Sequence, residues 1–198
     1  MNIITTVQNL SSNPNLVNLI SNLSYGEGPH LIQMTIRLPT NPPKEEILIL
    51  ELAPLNLMPH TIKSFMEMIE RKTLVDGTLM LALPHILLVG PEDHYDDVNH
   101  ERLSNHGYSN GVLLFNEYTD DYRHVPGTVA FTSTTKGPTF YINLVDNAEV
   151  HSEIKDPCFG RLVKGFDIIE RIALMPKREN GVFELPIYIV DAGIVDKN

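Results

Sequence analysis

Short apolar segments with the two-residue period of β-strands recur along most of the chain, and this pattern restricts the fold more than any other feature. The segments lie at 30–39, 47–53, 79–89, 112–115, 127–132, 139–144 and 186–195. The first two are joined by the turn Thr-Asn-Pro-Pro-Lys-Glu-Glu, which predicts a hairpin. A chain with this many strands and few helices is typical of a closed antiparallel barrel, so we predict a mainly β fold.

Strong helical periodicity occurs in two segments of the same region, 58–72 and 163–174. Each carries apolar residues three and four positions apart, with charged residues between them. The predicted inward-facing side chains are Ile62, Phe65, Met66 and Ile69 in the first segment and Phe166, Ile169 and Ile172 in the second. Helices so far apart in the sequence suit the two open ends of a barrel, and we expect them to cover those ends.

Residues 1–29 form a polar, Asn- and Ser-rich extension, and residues 30–198 form the predicted domain. Within the extension, Leu16, Leu19, Ile20 and Leu23 have helical spacing. The short helix that they predict either rests on the domain or docks a partner. The beginning of the chain has neither a basic stretch nor a small-residue cleavage site, so we do not expect a signal peptide.

The composition excludes several classes of protein. Apolar residues make up 42% of the chain and charged residues 20%, which is enough to bury a core. A formal net charge of −10 argues against nucleic acid or an anionic membrane as the main partner. The single cysteine, Cys158, excludes an internal disulfide and a multi-cysteine metal site, and we predict it to be buried. No apolar run approaches the ~20 residues of a membrane span, and the sequence does not reveal the compartment.

Several segments resemble the cyclophilin family in both wording and order, over residues 31–195. They are ILILELAPLNLMPHTIKSFMEMIE, DGTLMLALP, VPGTVAFTS, TFYINL, FGRLVKGFDIIERI and DAGI. The resemblance implies an eight-stranded barrel capped by two helices. It also implies peptidyl-prolyl cis-trans isomerase activity, with proline-containing peptide or protein segments as partners and no cofactor.

The resemblance also assigns site positions, and this chain departs from the family at the polar ones. With Pro84 as the anchor, the catalytic arginine falls on Leu81 and the glutamine that orients it falls on Val89. Other polar positions fall on Ser133, Thr139 and Asp156, where the family has asparagine, a second glutamine and a histidine. None of these residues supplies a guanidinium, so we predict no catalytic residue at these positions.

An apolar groove is still expected at the same place. The substrate-binding positions carried over from the family are Ile86, Leu87, Phe131, Thr132 and Tyr141. A donor from elsewhere in the chain, such as Arg123, is an open alternative to the missing arginine. His124 and His151 stand alone in the sequence, and we predict them to be surface or hydrogen-bonded residues.

One polar segment, 91–110, concentrates His94, His100 and His106 with several aspartates. Its spacings match no familiar metal site, and a solvated loop is favoured over zinc or iron binding.

Three hypotheses follow for the function. The first is a pseudo-isomerase that serves as a peptide-binding or scaffolding module. The second is an active prolyl isomerase with a rebuilt site. The third is a structural subunit of a larger assembly, in which the extension acts as an arm; the oligomeric state stays open.

Overall fold

The computed structural model describes residues 13–26, 28–90, 117–132 and 139–195. In these ranges, eight antiparallel strands close a barrel in the order β1-β2-β7-β5-β6-β4-β3-β8. The strands are β1 (Leu31–Leu38), β2 (Lys44–Leu52), β3 (Thr78–Ala82), β4 (Ile86–Gly90), β5 (Thr128–Phe131), β6 (Phe140–Asn143), β7 (Cys158–Lys164) and β8 (Val182–Val195). The predicted mainly β barrel is therefore confirmed, while the predicted strand at 112–115 lies outside the described residues.

The barrel interior is filled by alternate residues of each strand, as the two-residue period requires. On β1, for example, Ile32, Met34 and Ile36 are buried, and the residues between them are half-buried. Aromatic rings fill one part of the interior: the ring centroids of Phe131 and Phe159 are 4.6 Å apart, and those of Phe65 and Phe159 are 4.7 Å apart.

Four helices lie in the described ranges: α1 (Pro14–Tyr25), α2 (Pro59–Glu70), α3 (Ala148–Ile154) and α4 (Phe166–Ala173). No described helix is both long enough and apolar enough to cross a membrane. The inward face predicted for α2 is confirmed, because all four of its predicted residues are buried.

The prediction for α4 was wrong at Phe166, which is half-buried, whereas Ile168 is buried with Ile169 and Ile172. The helix begins at Phe166 and not at residue 163, because β7 runs to Lys164. The Phe166 ring lies over Gly127, where an added Cβ would be 3.3 Å from the ring. Phe166 therefore packs at the start of the helix and not in the core.

The start of α2 is capped by a residue from a distant part of the chain. Its own N-cap residue, Met58, makes no side-chain hydrogen bond. The Glu117 carboxylate instead accepts from the backbone N–H groups of His60, at 3.1 Å, and Thr61, at 2.8 Å. Two donors that a helix start leaves unpaired are thus satisfied by the loop that leads to β5.

The predicted helix of the extension is present as α1, and it rests on α2. Asn13 caps it by accepting from the backbone N–H of Asn15 at 3.0 Å. Val17 is buried, and the Tyr25 hydroxyl donates to Glu70 of α2 at 3.0 Å. Partner docking through this helix and the domain boundary at residue 30 remain predictions.

Candidate functional site

The first component of the site is the hairpin formed by β3 and β4. Residues 79–89, predicted as one strand, form two strands joined at residues 83–85. Leu79 is paired with Val89, and the next pair is Leu81 with Leu88. Between these two pairs β3 has one extra residue, Met80, which has no partner on β4. This is a β-bulge, and it reverses the side-chain alternation beyond it. Since cross-strand partners share a face, Leu81 lies on the same face as Leu88.

That face carries a row of side chains on the outside of the barrel, which we call the outer row. Leu81 is opposite Leu88, Leu88 is opposite Tyr141, Tyr141 is opposite Ala130, and Ala130 is opposite Cys158. Tyr141, Ala130 and Cys158 are buried and form a small apolar cluster, against which Leu88 packs. The row therefore crosses five strands, from a half-buried leucine on β3 to a buried cysteine on β7. The predicted burial of Cys158 is confirmed.

The substrate-binding positions assigned from the sequence are divided between the two faces of the barrel wall. Leu87 and Phe131 belong to the interior core, with exposed fractions of 0% and 2%. Ile86 and Tyr141 lie on the outer face, where Ile86 packs against the small cluster of the outer row. Thr132 donates its backbone N–H to the Thr139 carbonyl at 3.2 Å, at the edge of the described residues.

The polar positions assigned from the sequence are also separated. Val89 lies in the interior core with an exposed fraction of 1%, so it does not share a face with Leu81. Thr139 is buried, and its hydroxyl has no hydrogen-bond partner among the described residues. Asp156 is buried beside Tyr141, as described below. Ser133 and the 91–110 segment lie outside the described residues.

The second component is a buried polar cluster above the outer row, formed by Tyr141, His124, His151 and Asp156, which we call the Tyr141 cluster. The Tyr141 hydroxyl donates to Asp156 Oδ2 at 2.9 Å. The Tyr141 hydroxyl oxygen lies 2.9 Å from His151 Nδ1 and 3.4 Å from His124 Nδ1. His124 Nε2 is 3.1 Å from the Asp156 carbonyl oxygen. The two imidazole rings are stacked, with centroids 4.9 Å apart.

The hydrogen-bond partners determine where the protons are. A hydroxyl has one proton, and that of Tyr141 goes to Asp156, so its oxygen accepts from an imidazole N–H. His151 therefore carries its proton on Nδ1, which leaves Nε2 buried and without a partner among the described residues. His124 uses Nε2–H to donate to the Asp156 carbonyl.

Burial disfavours the charged forms of three side chains at the site, His124, Tyr141 and Cys158. It is the main cause that lowers the pKa of His124, followed by the neighbouring His151, with Asp156 acting in the opposite direction. Burial and the Asp156 carboxylate raise the pKa of Tyr141 well above its ordinary value. Burial raises the pKa of the Cys158 thiol to about 11. Tyr141 and Cys158 therefore stay protonated at neutral pH and are not suited to act as nucleophiles.

The third component is a pocket of about 470 Å³ beside the Tyr141 cluster. It lies between the loop before β5 and the start of α3, and its lining residues are Tyr118, Asp120, Arg123, His124, Ala148 and Glu149. Arg123 is exposed, and His124 belongs to both the pocket and the cluster. In the part of the chain that the structure describes, no group of three or more His, Cys, Asp or Glu side chains is arranged to hold a metal ion.

The sequence interpretation missed the Tyr141 cluster. Its members come from β6, from α3 and from the loops that precede β5 and β7, and no local motif joins them. His124 and His151 were predicted as surface or hydrogen-bonded residues; the second description is correct, and both are buried. The only local signal was the number of polar residues that flank two apolar strands.

Comparison with known proteins agrees with this fold. A family model described as cyclophilin type peptidyl-prolyl cis-trans isomerase/CLD matches residues 35–194. A crystal structure of a Cryptosporidium parvum cyclophilin type peptidyl-prolyl cis-trans isomerase is similar, with a TM-score of 0.61 and 16% identity over 84% of this chain and 99% of that chain. A crystal structure of that protein in the presence of the dipeptide Ala-Pro gives the same TM-score and identity, over 82% and 99%. The chain belongs to the cyclophilin-type peptidyl-prolyl cis-trans isomerase family.

Proposed function

We propose that this domain binds extended, proline-containing protein segments at the half-buried end of its outer row, formed by Leu81 and Leu88, and has little or no prolyl isomerase activity. The observation that carries the proposal is the pairing of Leu81 with Leu88 on the outer face of the barrel. The resemblance assigns the catalytic arginine to Leu81, and the residue that shares its face is a second leucine. The degenerate position therefore lies in an apolar environment.

The chemistry of isomerisation explains why this matters. Rotation about a peptide bond has a barrier of ~18–20 kcal/mol, because the amide is conjugated. A donor that binds the twisted amide more tightly than the planar one lowers this barrier. Leucine has no such donor, and the loss of one comparable donor costs ~10²–10³ in rate. The same apolar side chains still favour contact with a proline ring or another apolar group.

The activity is tested on an Ala-Pro-containing peptide, with an ordinary cyclophilin measured in parallel. We expect kcat/KM to be lower than that of the ordinary enzyme by at least about 10². A rate within tenfold of the ordinary enzyme would overturn the proposal. The double variant L81R/L88Q places a guanidinium and an amide on the outer face, and we expect it to gain at least about tenfold in rate. The absence of any gain would contradict the assignment of Leu81.

Binding is tested separately, because a protein without activity can still bind. Leu88→Asp puts a charge in the outer row, and we expect it to weaken the binding of a proline-containing peptide by at least about tenfold. Leu174→Asp is the matched control, since Leu174 is 85% exposed at the end of α4 and belongs to no described apolar cluster. Equal affinities for the two variants, measured by calorimetry, would exclude the outer row as the binding surface.

A second candidate function is supported by Arg123. This exposed guanidinium lines the pocket beside His124, whose ring contacts Tyr141 of the outer row. An active isomerase with a rebuilt site would use Arg123 as its donor. Arg123→Ala separates the two candidates: the rate falls by ~10²–10³ if Arg123 acts on the substrate, and it stays unchanged if the domain only binds.

A further inference from the structure

The short helix α3 is attached to the barrel in an unusual way. It has seven residues, and isolated helices shorter than ~12–15 residues are marginal in water. Among its described side chains only His151 is buried, while Glu149, Val150, Glu153 and Ile154 are exposed. The position of α3 thus depends on polar contacts and not on a buried apolar face.

Those contacts come from His151 and from Asn147, the residue that precedes the first residue of the helix. The His151 ring contacts the Tyr141 hydroxyl at 2.9 Å and Asp156 Oδ2 at 3.3 Å. Asn147 donates its backbone N–H to the His124 carbonyl at 2.8 Å and its side-chain amide to the His85 carbonyl at 3.0 Å. Asn147 also donates its side-chain amide to Asn143 Oδ1 on β6 at 2.7 Å, so the side-chain contacts that depend on the Tyr141 cluster are those of His151.

We propose that the Tyr141 cluster is an acid-sensitive latch, in which proton uptake by His124 releases α3 from the barrel. The geometry leaves little room for that uptake while α3 is attached. The neighbouring His151 ring is held in place with its Nε2 buried and without a described partner. A proton added to His124 would place a cation against the stacked ring of His151, in a site with an exposed fraction of 1%.

The electrostatic surroundings of His124 act in both directions: burial is the largest influence and disfavours the charged ring, whereas Asp156 favours it. The titratable and charged groups around the two rings are His85 before β4, Tyr141 on β6, Asp156 and Cys158 at the start of β7, and Tyr118, Asp120, Arg123 and Glu149 around the pocket. Burial, and then His151, lower the pKa of both His85 and His124. When α3 is released, His124 gains access to water and its pKa returns toward the ordinary ~6.5.

The sign of the pH dependence follows from this difference. The attached form binds fewer protons than the released form. Its stability relative to the released form is therefore greatest above pH ~6.5 and decreases as the pH falls below that value. His124, which stays neutral while α3 is attached, increases the opening equilibrium by up to about tenfold per pH unit. Release uncovers the buried end of the outer row, at Tyr141 and Cys158. The inference holds whether or not the outer row binds peptides.

Hydrogen exchange of the full chain, corrected for the intrinsic pH dependence of exchange, tests the latch. We expect the protection of residues 148–155 to fall by about tenfold between pH 7.5 and 5.5, and that of α4 to stay constant. In His124→Gln, which keeps a donor for the Asp156 carbonyl, this loss of protection becomes smaller. His60→Gln is the matched control, because His60 titrates at the start of α2, outside the cluster, and the loss then stays as in the wild type.

Two outcomes would overturn the latch: residues 148–155 lose no more protection than α4 does, or the two glutamine variants behave alike. The wild-type comparison decides even if His124→Gln does not fold. An NMR titration of the imidazole protons provides a second check. If His124 becomes charged near pH 6.5 while residues 148–155 stay protected, the latch is refuted.

Discussion

Substituting glutamine at two adjacent positions of β4 would test the face assignment on which the site depends. Val89 lies in the interior core between Leu79 and Phe140, with an exposed fraction of 1%. Leu88 lies next to it in sequence but on the outer face, where it is half-buried. The resemblance to the family assigns the orienting glutamine to Val89, whereas the pairing of the strands places Leu88 beside Leu81.

The magnitude of the effect at Val89 follows from its surroundings. The lost burial of the valine costs about 1.5 kcal/mol. A buried amide without partners costs about 1–3 kcal/mol, and the added volume costs about 1–3 kcal/mol more. The free energy of unfolding therefore falls by roughly 3.5–7.5 kcal/mol in Val89→Gln, a large part of the ~5–15 kcal/mol of an ordinary domain. In Leu88→Gln the amide reaches water, and we expect a loss of about 1 kcal/mol.

Thermal unfolding followed by tyrosine fluorescence measures both variants, since the chain has seven tyrosines and no tryptophan. We expect Tm to fall by at least about 7 °C in Val89→Gln, at about 2–4 °C per kcal/mol. A Val89→Gln protein as stable as Leu88→Gln would show that Val89 does not face the interior. The bulge in β3 and the outer row would then be wrong as described.

Two other substitutions test contacts that position the site. Replacing Glu117 by Gln removes the charge that caps α2, and we expect unfolding to become easier by about 1 kcal/mol in thermal denaturation; unchanged stability would mean that the cap contributes nothing. Gly165 has φ +94°, and an added Cβ would lie 2.5 Å from Leu48 Cδ2, so Gly165→Ala costs about 1–3 kcal/mol. At Gly193 an added Cβ meets nothing within 4 Å, and equal losses of stability in Gly193→Ala and Gly165→Ala would contradict this reasoning.

Much of the fold could be predicted from the sequence, because strand and helix periods are local properties. The inward face of α2 and the hairpin of β1 and β2 followed from spacing alone. The strand β7 was missed, since half of it has no alternation: Cys158, Phe159 and Gly160 are all buried. Helix α3 was missed for a related reason, as seven residues with one buried side chain carry no clear period.

The site was harder to predict, because it depends on a local irregularity and on contacts between distant residues. Counting from Pro84 assigned the two lost polar positions to Leu81 and Val89. In a regular hairpin, with side chains that alternate strictly between the two faces, both residues would lie on the same face of the barrel wall. The bulge between Leu79 and Leu81 changes the face, and the sequence contains no signal for it. Contacts such as that between Tyr141 and Asp156 form only after the barrel brings β6 and β7 to either side of β5.

The strand β8 has a consequence for how the chain folds. It pairs with β1 along one edge and with β3 along the other, so residue 31 meets residue 195. Contacts between residues so far apart form late, because the chain must give up the entropy of a long loop before they stabilise anything. During synthesis, β1 has been made long before its partner on this side leaves the ribosome. Until then its edge is an unpaired template for other chains, so a protein cut short before residue 182 is expected to aggregate and not to form a smaller barrel.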